Sequence, residues 1–158
     1  MAYEIRTAHL PESEAVAIRR VIPISELPQF FGAAFGELSK VLNASGASRF
    51  GPPFARYFSV KPEAVDVEAV MLADRPVAVT GRVKPLHLEP ADAAVVRHVG
   101  PYDAMHGAYE AIDGWMSANG KHPAGPPREV YLTSPDQVPD PAAWVTLVEQ
   151  PIADRLEP

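Results

Sequence analysis

Apolar positions recur along this chain with two different periods. Leu27, Phe31, Ala34, Leu38 and Val41/Leu42 fall at helical spacing, which predicts an amphipathic helix over 26–44. Met105, Tyr109, Ile112 and Trp115/Met116 repeat that stripe and predict a second helix over 102–118. Ser25 and Pro101-Tyr102-Asp103 stand where N-terminal capping groups are expected. Gly46 and Gly120 fall just past the helix ends, where a left-handed residue closes the last turn without a Cβ penalty. Mixed alternation with many β-branched residues predicts strands at 14–22 and 91–99, ahead of the helices. Gly-Pro-Pro at 51–53 and 125–127 bars further helix and opens strands at 53–60 and 127–134. Strands at 65–73 and 143–150 complete the pattern.

These elements are two copies of one unit. Gly46 and Gly120, the two Gly-Pro-Pro triplets, and Tyr57 and Tyr131 all lie 74 residues apart. Ala17-Ile18-Arg19-Arg20-Val21 resembles Val95-Val96-Arg97-His98-Val99, and Val65-Asp66-Val67-Glu68-Ala69 corresponds to Trp144-Val145-Thr146-Leu147-Val148. Four matches in one order indicate an internal duplication. Each copy reads β-α-β-β, and a lone copy buries too little to stand alone. The expected fold is therefore α+β: a tandem β-α-β-β repeat with pseudo-two-fold symmetry. It would have antiparallel sheets, two main helices and a ligand cleft between the halves. One domain is expected over 1–152, with halves 1–73 and 91–152, a linker 74–90, and a polar tail that frays after Ile152.

Composition narrows the function classes. The chain has 158 residues, no cysteine and a net charge of −6. Thiolate nucleophiles, iron–sulfur clusters and cysteine-ligated zinc are excluded. An acidic protein is a poor general binder of the phosphate backbone, so no direct nucleic-acid binding is expected. No apolar run approaches a membrane span, and the N-terminus lacks the basic-then-apolar order of a signal peptide. No membrane partner and a cytoplasmic location are the expectation. The 18 prolines punctuate the chain as stiff turns between short elements.

Glu129 is the first candidate for chemistry. In a strand, Glu129 and Tyr131 share one face while Val130 and Leu132 share the other. If Val130 and Leu132 face the helices, Glu129 and Tyr131 face the cleft, as do Ala55 and Tyr57 of the first copy. A carboxylate among aromatic rings needs a cation or hydrogen bonds, and so suits a lipophilic cation or general acid/base work. The bland alternative is an edge-strand glutamate in water. Tyr57, Tyr102, Tyr131, Trp115 and Trp144 add aromatic faces that attract cations and planar rings; Phe31 and Phe35 read as core. His98 and His106 could line the cleft or be satisfied locally. The five histidines show no metal-ligand spacing, so neither a metal nor a cofactor is expected. No phosphate-binding glycine loop and no nucleophile elbow occurs. Asp66 and Glu68 alternate on one strand face and could be surface groups or partners of basic residues.

Val96-Arg97-His98-Val99-Gly100-Pro101-Tyr102, then Tyr109 and Trp115 on a helix, then Gly125-Pro126-Pro127-Arg128-Glu129-Val130-Tyr131-Leu132, then Trp144-Val145-Thr146-Leu147-Val148-Glu149-Gln150-Pro151-Ile152 together resemble the GyrI-like family. This bacterial small-molecule-binding domain is also the effector-binding part of multidrug-sensing regulators. The resemblance covers about 3–152 and implies the same tandem fold. It implies a cleft in which Glu129 contacts cationic aromatic drugs, with Tyr131, Tyr102 and Trp115 on matching motif positions. Because the domain begins within a few residues of Met1, a stand-alone binder is expected, without a DNA-reading module.

Three functions follow from this reading. The first is a multidrug-binding protein that sequesters or senses lipophilic, aromatic, often cationic compounds and so contributes to drug resistance. Its ligand contacts would be Glu129, Tyr131, Tyr102, Trp115, Tyr57, His106 and Trp144. The second is a hydrolase that opens cyclopropane rings of genotoxic natural products, with Glu129 as general acid/base and Tyr131 holding the electrophile's oxygen. The third is a modulator of gyrase, ranked last because basic residues interrupt the acidic ones. An open sheet edge would support a homodimer.

Overall fold

The computed structural model describes residues 3–78 and 81–155. In chain order the main elements are β1 (Ile5–Leu10), β2 (Ser13–Ile22), α1 (Leu27–Ser45), β3 (Phe54–Val60), β4 (Val65–Ala73) and β5 (Lys84–Leu88). They continue with β6 (Ala91–Val99), α2 (His106–Ala118), β7 (Lys121–Pro123), β8 (Arg128–Tyr131) and β9 (Val145–Asp154). The fold is α+β, and the tandem β-α-β-β order read from the sequence is present. The chain divides into two compact units, residues 11–90 and residues 3–10 with 91–155.

In the first unit, β3, β4, β2 and β5 follow one another in an antiparallel ladder. α1 lays Ala34, Leu38 and Leu42 on Val16, Ile18, Ala69 and Met71. These helix positions are four apart, so they form one stripe. In the second unit β1, β6, β9 and β8 pair antiparallel, and β7 adds to the end of β9. There α2 lays Ala108, Ile112 and Met116 on Ala94, Val96 and Val148. Each α2 contact residue follows its α1 counterpart by 74 positions. The ladders agree: Ala55 opposes Ala69, and the matching Glu129 opposes Val148. The duplication therefore extends to the strand register.

Several boundaries differ from the sequence expectation. Ser25 and Asp103 cap nothing: 3-10 turns at Ile24–Glu26 and Tyr102–Ala104 lead into the helices, and neither helix has a side-chain cap. α2 accordingly starts at His106. Gly46 does end α1 in the left-handed conformation, φ 72°. The strand expected over 127–134 is only Arg128–Tyr131, because Ser134-Pro135 turns the chain. The chain after Ile152 does not fray at once: Ala153 and Asp154 pair with His122 and Lys121.

Two strands lie outside the β-α-β-β pattern. β1 pairs with β6, and β5, inside the expected linker, pairs with β2. The chain thus passes between units at Leu10–Pro11 and again at Pro90–Ala91. β5 is an edge strand in its unit, which accommodates Pro85 and its missing N–H.

Asp66 and Glu68 have basic partners. Arg19 clasps Asp66 with two bonds of 2.9 Å, and Arg56 Nε donates to the buried Glu68 at 2.7 Å. The Arg19 guanidinium also lies 3.6 Å from the centre of the Phe58 ring.

Candidate functional site

Glu129 and Tyr131 are two residues apart on β8 and therefore share a face. That face carries α2. Glu129 opposes Val148, part of the cluster beneath the helix, and the Tyr109 hydroxyl of α2 donates to Glu129 Oε2. This corrects the expected orientation. Val130, not Glu129, lies on the side away from the helix, opposite Leu147. The sequence misled because the sheet buries both of its faces: Ala93, Val95 and Val130 are as enclosed as Ala94, Val96 and Val148. Ala55 and Tyr57 of β3 have the same parity as Ala69, hence the α1 side of their unit.

Glu129 is half-buried. Its other oxygen accepts from the Tyr131 hydroxyl at 3.2 Å. Two hydroxyl donors on one carboxylate hold it in place. Tyr102, in the turn before α2, meets Tyr131 edge-on with ring centres 5.6 Å apart. It stacks on Trp144 at 4.7 Å. Trp144 is pinned in turn by its indole N–H, which donates to the Val138 carbonyl at 2.6 Å. Tyr102 remains 38% exposed, so the aromatic group opens to solvent at that edge. Partial burial raises the Tyr102 hydroxyl's pKa above the ordinary phenol value, and the negative charge of Glu129 raises it further. Tyr102 thus stays protonated and senses the Glu129 charge.

Of the residues singled out from sequence, the structure brings together Glu129, Tyr131, Tyr102 and Trp144. Trp115 packs against the apolar cluster under α2. His106 is 84% exposed in its side chain and pairs with Glu110 at 2.7 Å on the helix surface. Tyr57 belongs to the other unit, opposite Val67. Tyr109 stands in the helical stripe and in the family-like motif, but neither pattern pairs it with Glu129. Its counterpart in the first copy is Phe35, and that of Glu129 is Ala55. A tyrosine and a glutamate replacing a phenylalanine and an alanine in one copy is the signal that could have paired them. His98 is buried and satisfied locally: Nδ1 lies 2.9 Å from the Tyr3 hydroxyl and Nε2 3.0 Å from the Pro101 carbonyl.

A separate groove of about 480 Å³ is lined by polar groups, among them His9 paired with Asp92 and Lys121 paired with Asp154. None of the clustered aromatic residues borders it. Among the described residues no helix is long and apolar enough to cross a membrane.

The sequence profile of the GyrI-like small molecule binding domain matches residues 1–152. The chain belongs to the GyrI-like family. No curated protein matches the sequence significantly. Among solved structures, the EcmrR C-terminal domain superposes with a TM-score of 0.87 at 24% identity, covering 98% of this chain and 99% of that one. In the EcmrR–DNA complex the same superposition covers 98% of this chain but only 59% of the EcmrR chain. A hydrolase from Listeria innocua gives 0.73 at 14% identity over 96% of this chain and 93% of that one. SAV2435 bound to tetraphenylphosphonium gives 0.60 at 10% identity, over 97% and 94%. At these identities the likeness is one of fold.

Proposed function

We propose that this GyrI-like chain binds lipophilic aromatic cations, with the Glu129 carboxylate as counter-charge and Tyr102, Tyr131 and Trp144 as the aromatic walls. The observation that carries this reading is the half-buried Glu129, held by the Tyr109 and Tyr131 hydroxyls beside the Tyr102–Trp144 stack. A delocalised cation needs little dehydration, so its apolar rings can displace water around the carboxylate and strengthen the attraction. Each ring face adds about 0.5–2 kcal/mol toward a cation. The tetraphenylphosphonium held by SAV2435 is a ligand of this chemistry. Sequestration or sensing of such compounds is the role we infer.

The test is a fluorescence-polarisation titration with a lipophilic cationic dye on wild type and Glu129→Gln. Micromolar binding that weakens tenfold or more in the variant, about 1.4 kcal/mol, supports the reading. No binding, or equal binding by both, overturns it.

The hydroxyl-bonded carboxylate also favours a second reading, general acid/base hydrolysis of a strained cyclopropane. Water would add to one ring carbon, the ring bond would open, and the released carbon would take a proton. Incubation with a spirocyclopropane alkylator should then give the hydrate faster than with Glu129→Gln; equal rates sink it.

A further inference from the structure

Outside that cluster, one group of ligating side chains comes from parts of the sequence far apart. Glu12 precedes β2, Glu14 is its second residue, His87 lies on β5 and Glu89 follows it. Glu14 and His87 are direct partners in the ladder. Strand alternation puts Glu12 on the side of Glu14 and Glu89 on the side of His87, so all four side chains share one face. His87 Nδ1 is 2.7 Å from Glu14 Oε1. Its Nε2 lies 3.2 Å from Glu12 Oε2 and 3.5 Å from Glu89 Oε1. Ligand atoms of Glu12, His87 and Glu89 all fall within 4.8 Å of one another.

With Nδ1 donating to Glu14, Nε2 faces two carboxylates, and either a second ring proton or a metal ion can sit between them. A proton on Nε2 can be shared with one oxygen at a time, whereas a metal ion accepts all three donors at once. The spacing suits this. Arms of about 2.0–2.1 Å in a tetrahedron give donor–donor edges of about 3.3–3.4 Å, between the two distances observed here. A carboxylate on the far ring nitrogen is the usual orienting partner of a metal-bound histidine, and Glu14 holds that position.

We propose that His87 Nε2, Glu12 and Glu89 bind a divalent transition-metal ion of the zinc type, oriented by Glu14, with the fourth position open to water or a second ligand. The imidazole nitrogen selects against magnesium and calcium, which prefer all-oxygen sites. Sequence spacing could not reveal the site, since Glu12 and His87 lie far apart in the chain and meet only through the β2–β5 pairing. Glu12 and Glu89 adjoin Pro11 and Pro90, the two places where the chain passes between units.

The proposal is independent of drug binding at Glu129 and is tested separately. Chelator-treated full-length protein would be titrated with zinc by calorimetry, and with cobalt while its visible d–d absorption is followed. One equivalent per chain is expected, with visible bands of a nitrogen–oxygen site. His87→Ala should lose about 100-fold in zinc affinity, and Glu14→Gln about 10-fold with the stoichiometry kept, as expected for ligand and orienting residue. Zinc should raise the melting temperature of wild type but not of His87→Ala; these exposed side chains can be replaced without unfolding the chain, which circular dichroism verifies. Three results would overturn the proposal: no zinc binding to wild type, zinc binding unchanged in His87→Ala, or calcium binding as tight as zinc. The first would leave a protonated histidine shared among carboxylates; the other two would leave a nonspecific acidic patch.

Discussion

Removing the Tyr109 hydroxyl is the sharpest probe of the Glu129 cluster. Tyr109→Phe keeps the ring on the apolar cluster beneath α2 and deletes the donor to Glu129. A hydrogen bond to a charged acceptor contributes about 1.5–3 kcal/mol. Glu129 keeps the Tyr131 donor at 3.2 Å and some access to water, so the expected loss is at the low end, about 1–2 kcal/mol. For a chain of this size each kcal/mol moves Tm by about 2–4 °C, a drop of roughly 2–8 °C. The first copy supplies the control, because it carries Phe35 and Ala55 at the matching positions. In a Glu129→Ala background the same Tyr109→Phe change leaves no anion short of a donor, and should cost under about 0.5 kcal/mol, since an apolar pair replaces a polar one at little net cost. Urea denaturation of the four proteins closes the cycle. A coupling near zero would refute a hydrogen bond between these two side chains. In the same set, Glu129→Ala/Tyr109→Phe should be folded yet lose cation binding.

Leu38→Ala and Ile112→Ala, at matching buried positions of the two helices, should each cost about 2–5 kcal/mol in urea; a loss under 1 kcal/mol in either would contradict that helix's packing. The Arg19 guanidinium holds the Asp66 carboxyl below the ordinary aspartate range, chiefly by hydrogen bonding. Its stabilisation is present above the unfolded-state value and is lost as pH falls through the lower folded value. Arg19→Gln should therefore raise the Asp66 midpoint in an NMR titration, costing at most about 1 kcal/mol at neutral pH for so exposed a pair, and the cost should vanish in acid. Burial raises the Glu149 carboxyl above the glutamate range, against the opposing pull of Arg128 and Arg6. A raised carboxyl opposes folding once pH exceeds the unfolded-state value, so Glu149→Gln should help stability more at pH 7 than at pH 4; the reverse order would contradict this.

Much of this fold is legible in the sequence because its signals are local. Apolar residues at helical spacing, Gly46 past the helix end and the Gly-Pro-Pro breaks each act within a few residues, and the strand over 65–73 matches β4 end to end. β1 and β5 escaped because their strand character lies in the partner. Neither Ile5-Arg6-Thr7-Ala8-His9-Leu10 nor Lys84-Pro85-Leu86-His87-Leu88 alternates strongly, and each ladder joins residues far apart in sequence, such as Ile5 with Val96 and Ala17 with Lys84. Glu129, Tyr131, Tyr102 and Trp144 were legible as a set because few side chains combine charge or hydroxyls with aromatic surface. Their orientation was not, since a sheet buried on both faces gives no alternation to read.

The two copies share a scaffold but differ in charge on its helix side. In the first unit the α1 side is apolar at Phe35 and Ala55, while Arg56 opposes Glu68 on the other side. In the second unit the pair corresponding to Arg56 and Glu68 is Val130 and Leu147, Arg128 opposes Glu149 elsewhere in the same ladder, and a further carboxylate, Glu129, stands on the α2 side. A carboxylate among apolar neighbours costs stability unless it is fully satisfied. The first copy meets that requirement with an arginine already in the chain, a closed arrangement that leaves no demand for a ligand. In the second, two tyrosine hydroxyls donate to Glu129, and the proposed cation site belongs to this copy while the first keeps its Arg56–Glu68 pair. Installing the pair in the first copy, Phe35→Tyr with Ala55→Glu, tests this division. It should lower stability without creating a second cation site, because Pro28 stands where the second copy has Tyr102. A second equivalent of dye bound by that variant would show that the carboxylate and one hydroxyl suffice, and that the Tyr102–Trp144 stack is dispensable.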